Sequence, residues 1–119
     1  MKTTIKGKVI HGAKLGRQLG FPTANIDASR LTSIEDGVYA ARLKVKGNIY
    51  NAMANIGTRP SVDGNTRLVE VHLFGFRGNL YGRYVKINLL RKIRNEQRFA
   101  SIDDLKAQLL KDATDCKGQ

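Results

Sequence analysis

Apolar and polar residues alternate with a period of two through much of this 119-residue chain, and one late segment carries a helical period instead. Residues two apart in an extended strand share a face, so this alternation builds half-buried strands. Ile5, Gly7 and Val9 alternate with Lys6, Lys8 and Ile10. After Gly37, Tyr39, Ala41, Leu43 and Val45 alternate with Ala40, Arg42 and Lys44. Lys46-Gly47-Asn48 predicts a tight hairpin turn, because Gly and Asn tolerate positive φ. Residues 49–56 then form the returning strand. Val69, Val71 and Leu73 take one face of the next strand, with Glu70 and His72 on the other. Val85, Ile87 and Leu89 alternate with Tyr84, Lys86 and Asn88. By contrast, Ile102, Leu105, Leu109 and Ala113 recur at helical spacing and form one apolar stripe that packs on the sheet. Ser101 and Asp104 resemble a capping box, and Asp103 and Asp104 suit the positive end of the helix dipole. Residues 113–119 are expected to fray. Short strands followed by one amphipathic helix predict a mainly β chain: an antiparallel barrel closed or plugged by that helix, with residues 1–119 as a single domain.

Charge narrows the partners without choosing one. There are 21 Lys and Arg against 10 Asp and Glu, a net charge of +11. Such an excess attracts anionic partners: nucleotides, phosphorylated metabolites, nucleic acid or acidic membrane. A solvated surface accounts for most of these residues equally well. No apolar run reaches the ~18 residues a membrane span requires. No secretory leader is recognisable at the N-terminus, and the lone Cys116 cannot form an internal disulfide. A cytoplasmic location is the default expectation.

Two segments carry chemistry. In residues 12–25, glycines recur at 12, 16 and 20, with Lys14 and Arg17 between them and Pro22-Thr23-Ala24-Asn25 following. Glycines let backbone N–H groups line an anion-binding concavity. Thr23 and Asn25 offer oxygens of the kind Mg²⁺ takes beside phosphates, and their spacing of two puts them on one side of an extended segment. A glycine-rich surface loop entering a turn explains the same pattern, and glycine spacing alone favours that simpler reading. The second segment is the strand around Glu70. A carboxylate among apolar neighbours suits a general base, whereas an exposed Glu paired with Arg67 or a cross-strand Lys is the plainer alternative. P-loop, protein-kinase and nucleophile-elbow motifs are missing, and His11 and His72 are too far apart in sequence to suggest a zinc cluster.

Taken together, ordered blocks along nearly the whole chain resemble the riboflavin kinase family. They are Gly7-Lys8-Val9-Ile10-His11-Gly12, Leu19-Gly20-Phe21-Pro22-Thr23-Ala24-Asn25 and Gly37-Val38-Tyr39-Ala40. Next come Ala54-Asn55-Ile56-Gly57-Thr58-Arg59-Pro60, Val69-Glu70-Val71-His72-Leu73 and Leu80-Tyr81-Gly82. Ile93-Arg94-Asn95-Glu96-Gln97-Arg98-Phe99 and Ser101-Ile102-Asp103-Asp104-Leu105 close the series. The likeness is to the kinase domain of bacterial bifunctional riboflavin kinase/FAD synthetase, without the adenylyltransferase half. Where relatives usually carry acidic residues before Leu80-Tyr81-Gly82, this chain has Phe76-Arg77-Gly78-Asn79.

The resemblance implies a six-stranded antiparallel Greek-key β-barrel with a C-terminal α-helix. It implies transfer of the γ-phosphate of ATP to the ribityl 5'-hydroxyl of riboflavin, with Mg²⁺. Glu70 matches the catalytic base. Gly12, Lys14, Arg17, Thr23, Asn25, Leu73, Gly75 and Tyr81 fall at ATP-binding positions, and Thr23 and Asn25 at the metal. Arg94, Gln97 and Phe99 fall on the loop over the flavin. Riboflavin and ATP are then the expected partners of a monomer with no specific nucleic-acid partner and no membrane partner. Two other readings compete. A small basic barrel could grip single-stranded nucleic acid through Tyr84 and Phe99 beside Arg and Lys, although Thr23, Asn25 and Glu70 then have no role. A flavin-binding domain without catalysis is the other, against which the retained Glu70 and Pro22-Thr23-Ala24-Asn25 argue.

Overall fold

The computed structural model describes residues 3–10, 20–62 and 64–117. Among the described residues, six strands and one helix follow in order: β1 (Thr3–Lys8), β2 (Ala24–Asp27), β3 (Gly37–Val45), β4 (Asn48–Ser61), β5 (Gly64–Leu73), β6 (Tyr84–Arg94) and α1 (Ile102–Lys117). The strands form one antiparallel sheet in the order β1-β6-β3-β4-β5-β2. Consecutive hairpins join β3, β4 and β5, and β6 returns beside β3, which is the Greek-key pattern. The sheet curls until its two edges approach: the Ile10 N–H donates to the Asn25 carbonyl at 2.8 Å. The result is a partly open, six-stranded antiparallel barrel with a C-terminal helix.

The period-two residues meet inside the barrel. Ile5, Tyr39, Ala41, Leu43, Val69, Val71, Leu73, Val85, Ile87 and Leu89 all belong to one buried cluster. The β3–β4 hairpin has its positive φ at Lys46 (52°) and Gly47 (80°), with Val45 paired to Asn48. The turn is therefore Lys46-Gly47, and Asn48 already belongs to β4. A two-residue turn that follows strand twist needs left-handed backbone at both central positions, and glycine accepts it freely.

β4 is longer than the expected residues 49–56 and runs on through Pro60 to Ser61. A strand of four residues, β2, also forms at the end of the glycine-rich 12–25 segment and runs on to Asp27. Four residues are too few for an alternating pattern to stand out.

Helix α1 does not plug the barrel. It packs on the outer face of β3 and β4, where Val38, Ala40 and Met53 join Ala113 and Cys116 in a second buried cluster with Leu109 at its margin. That placement explains why residues 38–41 are apolar without interruption: Tyr39 and Ala41 face the barrel interior, Val38 and Ala40 the helix. Ser101 Oγ accepts the Asp104 N–H at 3.1 Å, so the cap forms. The expected fraying from residue 113 is replaced by helix through Lys117, because Ala113 and Cys116 are buried against the sheet. Ile102, assigned to the apolar stripe, is instead 58% exposed, and the buried face includes Asp112. Burial, and secondarily the nearby Asp112 charge, pushes the Cys116 thiol up to about 11. Among the described residues, no helix is long and apolar enough to cross a membrane.

A candidate active site between the sheet and the helix

The register of the sheet lines up one row of side chains across five strands. Asn25 on β2 pairs with Glu70 on β5, and Glu70 pairs with Asn55 on β4. Asn55 pairs with Val38 on β3, and Val38 with Arg94 on β6. Directly paired residues of antiparallel strands share a face, so this row faces outward, toward α1. Glu70 stands second in it, between Asn25 and Asn55. Leu105, Leu109 and Asp112 of α1 and the loop before the helix stand over Glu70, Asn55, Val38 and Arg94 of the row and leave a cavity of about 320 Å³. That is within the size range of small-ligand pockets.

The cavity has two kinds of wall. Val38, Met53, Phe99, Leu105 and Leu109 make an apolar side. Thr23, Asn55, Arg59, Glu70, Glu96 and Gln97 make a polar one. Such a split suits a ligand with a flat apolar body and a hydroxylated or charged tail. His72 also lines it; its Nδ1 lies 2.8 Å from the Pro22 carbonyl, and its ring meets Phe21 and Phe74 edge-on. These contacts tie the segment carrying Thr23 to β5.

Glu70 is held by Arg59. Arg59 Nε and NH2 both reach Glu70 Oε1, at 2.9 and 2.8 Å. Its NH1 reaches Glu96 Oε1 at 3.1 Å. Burial alone would ease proton loss from Arg59, but the two carboxylates outweigh it and hold the guanidinium above its usual pKa. Neither partner weighed from the sequence is the one found: Arg67 pairs with Asp36 at 2.8 Å and also donates to the Leu31 and Ile34 carbonyls.

Two amide oxygens flank Glu70 without hydrogen-bond partners, Asn25 Oδ1 and Asn55 Oδ1, and both are buried. A buried acceptor without a partner costs about 1–3 kcal/mol, so a pair of them beside one carboxylate marks a place built for a ligand.

The fold brings Thr23, Glu70, Arg94, Gln97 and Phe99 to this one cavity, with Asn25 next to Glu70 in register. Other sequence-predicted residues lie elsewhere. Leu73 is 7% exposed and packs inside the barrel, so its side chain cannot serve a ligand on the outer face. Gly75 sits in an exposed turn at φ 76°. Tyr81 is 53% exposed, and its N–H donates to Asn79 Oδ1. Gly12, Lys14 and Arg17 lie outside the described residues. Arg94 lines the cavity, but its guanidinium is taken up by Asp112, with Nε 3.0 Å from both carboxylate oxygens and NH2 2.8 Å from Oδ2. Phe99 lies beneath it, 5.7 Å from the guanidinium carbon to the ring centre.

Asn55, Arg59, Glu96 and Asp112 were not singled out by sequence reasoning. For the first two the signal was present: Asn55, Gly57 and Arg59 follow a spacing of two inside one recognised block.

Comparisons with known proteins give the family and the fold. The riboflavin kinase family model (Flavokinase) matches residues 1–119. A bifunctional riboflavin kinase/FMN adenylyltransferase from Haemophilus influenzae is 51% identical over 114 residues, which cover 95% of this chain and 37% of the relative. Its Escherichia coli counterpart is 50% identical over 109 residues, 91% of this chain and 35% of the relative. The chain thus spans about a third of the length of these relatives. The crystal structure of riboflavin kinase from Trypanosoma brucei superposes with a TM-score of 0.69 at 28% identity, over 97% of this chain and 77% of that one. A solved structure described as a macrolide-efflux protein from Streptococcus pneumoniae gives a TM-score of 0.84 at 31% identity, over 99% of this chain and 39% of that one. Matched over its whole length by the family model and sharing its fold with a riboflavin kinase, the chain belongs to the riboflavin kinase family.

Proposed function

We propose that the chain is a riboflavin kinase, which moves the γ-phosphate of ATP onto the 5'-hydroxyl of the riboflavin side chain. The observation that carries the reading is Glu70, set between two unpartnered amide oxygens on the wall of a half-apolar cavity. The apolar side, with Phe99, Leu105 and Leu109, suits the isoalloxazine ring. The polar side suits the ribityl chain, for which Asn55 Oδ1 is an acceptor. Glu70 Oε1 is occupied by Arg59, which leaves Oε2 for the proton of the attacking hydroxyl. The hydroxyl oxygen forms the new bond to the γ-phosphorus, the bond to the bridging oxygen breaks, and ADP leaves. Phosphoryl transfer depends mainly on positioning and charge neutralisation, so a fixed base and a closed cavity are the fold's main contributions. Gln97 and Phe99, on the loop before α1, keep water from the transferring phosphoryl group.

The residues present fit Mg²⁺. Asn25 Oδ1 is a buried oxygen without a partner, and Thr23 offers a hydroxyl on the same segment. When bound there, the metal would neutralise phosphate charge. Gly12, Lys14 and Arg17 are assigned to the phosphates on family resemblance. Gly75 and Tyr81 are kept on the nucleotide side, with Leu73 restricted to its backbone. We read the active species as a monomer whose basic surface serves no specific nucleic acid and no membrane.

Incubation with riboflavin, ATP and Mg²⁺, followed by chromatography, should yield FMN. Absence of FMN beside intact riboflavin binding would favour a non-catalytic flavin-binding domain. Thr23→Ala and Asn25→Ala should each raise the Mg²⁺ concentration needed for half-maximal turnover, by about tenfold for a lost oxygen ligand, with little change in melting temperature. An unchanged Mg²⁺ requirement in both variants would place the metal elsewhere.

A further inference from the structure

Arg59 joins two carboxylates that come from distant parts of the chain. Glu70 is on β5, and Glu96 is on the loop that carries Gln97 and Phe99 into the cavity. The guanidinium gives Nε and NH2 to Oε1 of Glu70 and NH1 to Oε1 of Glu96. NH1 also donates to the Thr58 carbonyl at 3.1 Å, which fixes the plane of the fork against its own strand. A planar guanidinium can serve two carboxylates at once in this way, whereas an ammonium acts as a point charge.

Gly57 is an independent sign that this junction is built. A Cβ at Gly57 would stand 1.7 Å from Glu96 Oε1, 2.8 Å from Glu96 Cδ and 2.7 Å from Arg59 NH1. The φ of Gly57 is not in the left-handed region, so backbone conformation does not ask for glycine there. Its missing side chain is the seat of the Glu96 carboxylate. The strand thus places a notch at 57 and a fork at 59, on the face that carries Asn55 and, across the ladder, Glu70.

We propose that Arg59 is a positioning residue that couples closure of the 95–99 loop to the orientation of Glu70, with Glu96 in the Gly57 notch as the loop's anchor. The inference rests on the reading of Glu70 as the base and of the loop as the cover of the flavin. One guanidinium holds both ends, so the loop docks best when the carboxylate is turned with Oε1 toward Arg59 and Oε2 left for substrate. Losing Glu96 frees the loop and leaves the base held. Losing Arg59 frees both.

The test is steady-state kinetics in riboflavin at saturating ATP and Mg²⁺, with Glu70→Gln as the control and melting temperatures to verify folding. Glu96→Gln should raise the riboflavin KM about tenfold with kcat within about threefold. Gly57→Ala, whose Cβ would displace both the Glu96 carboxylate and Arg59 NH1, should raise KM likewise and lower kcat as well. Arg59→Gln should raise KM and also lower kcat by about tenfold or more. Arg59→Lys should recover part of kcat but not KM, because one ammonium cannot span both carboxylates. In the Arg59→Gln/Glu96→Gln double variant, the KM effects should be strongly less than additive, since both remove one contact. The proposal is overturned if Arg59→Gln leaves kcat and KM within about twofold of the parent, or if the two KM effects simply add. A Glu70→Gln protein with near-parent kcat would instead sink the base reading, which separates the two failures.

Discussion

Glu70→Gln lowers kcat by about 10²-fold or more while riboflavin binding changes little. The substitution keeps the size and shape of the side chain, and its amide oxygen can still accept from Arg59. What disappears is the second carboxylate oxygen, the atom left over when Arg59 takes Oε1. The hydroxyl would then have to lose its proton to water, which the loop and the helix exclude. Arg59 keeps the Glu96 carboxylate and the Gln amide oxygen as partners, so removing the Glu70 charge is no threat to the fold. Rapid-quench or steady-state FMN formation measures the change, and quenching of flavin fluorescence reports binding. A near-parent kcat would remove Glu70 from the chemistry. Equal loss of binding and turnover would make it a flavin-binding residue instead.

The barrel was legible because its interior is built from residues two apart, and alternation survives whatever the loops do. Tyr39 to Val45 and Val69 to Leu73 state their inward faces directly. The same rule places Leu73 inside with Val69 and Val71, so parity already argued against its side chain as a nucleotide contact. The outer face was harder to read. Val38 and Ala40 interrupt the alternation because α1 covers them, and a continuous apolar run does not say what lies on its second side. The cavity exists only once the helix is docked there, so its apolar wall, drawn from β3, β4 and α1, has no local signature. Arg59 was hidden for another reason. Pro60 suggests the end of a strand, yet β4 continues through it opposite Asn65. Proline is tolerated in a ladder where its missing N–H is not required, and the run of Asn55, Gly57 and Arg59 on one face becomes visible only with the strand intact. The Gly12–Arg17 segment carried its meaning through family resemblance, since glycine spacing alone fits an ordinary loop.

Asp112 shows how a functional surface and fold stability meet in one contact. In the sequence it is a charge in the middle of a helix, with Lys111 before it, and reads as solvated. In the fold it is fully buried, and its carboxylate accepts three hydrogen bonds from Arg94 and one from Gln108 at 2.9 Å. Arg94 is the last residue of β6, so the pair fastens the helix to the strand that precedes the 95–99 loop. On the proposed reading, any role of Arg94 toward a flavin is indirect, through holding Phe99 and the helix in place, since its Nε and NH2 are already committed to Asp112. Asp112→Ala should destabilise the protein by about 3–5 kcal/mol, because it leaves a guanidinium that is 15% exposed without its counter-charge. Arg94→Ala should cost a similar amount by stranding the carboxylate. A buried pair removed as a whole is far less damaging than either half, since no uncompensated charge remains. Replacing Arg94 and Asp112 together with Met and Leu, which fill the space, should therefore be clearly milder than either single alanine. Urea unfolding of the three variants, with unchanged m-values as the sign of a two-state transition, makes the comparison. A Met/Leu variant no more stable than either single alanine would mean that the pair does not act as a unit. With coupling present, the Met/Leu variant should keep a melting temperature close to the parent yet bind riboflavin more weakly, because Phe99 has lost the guanidinium it lies against.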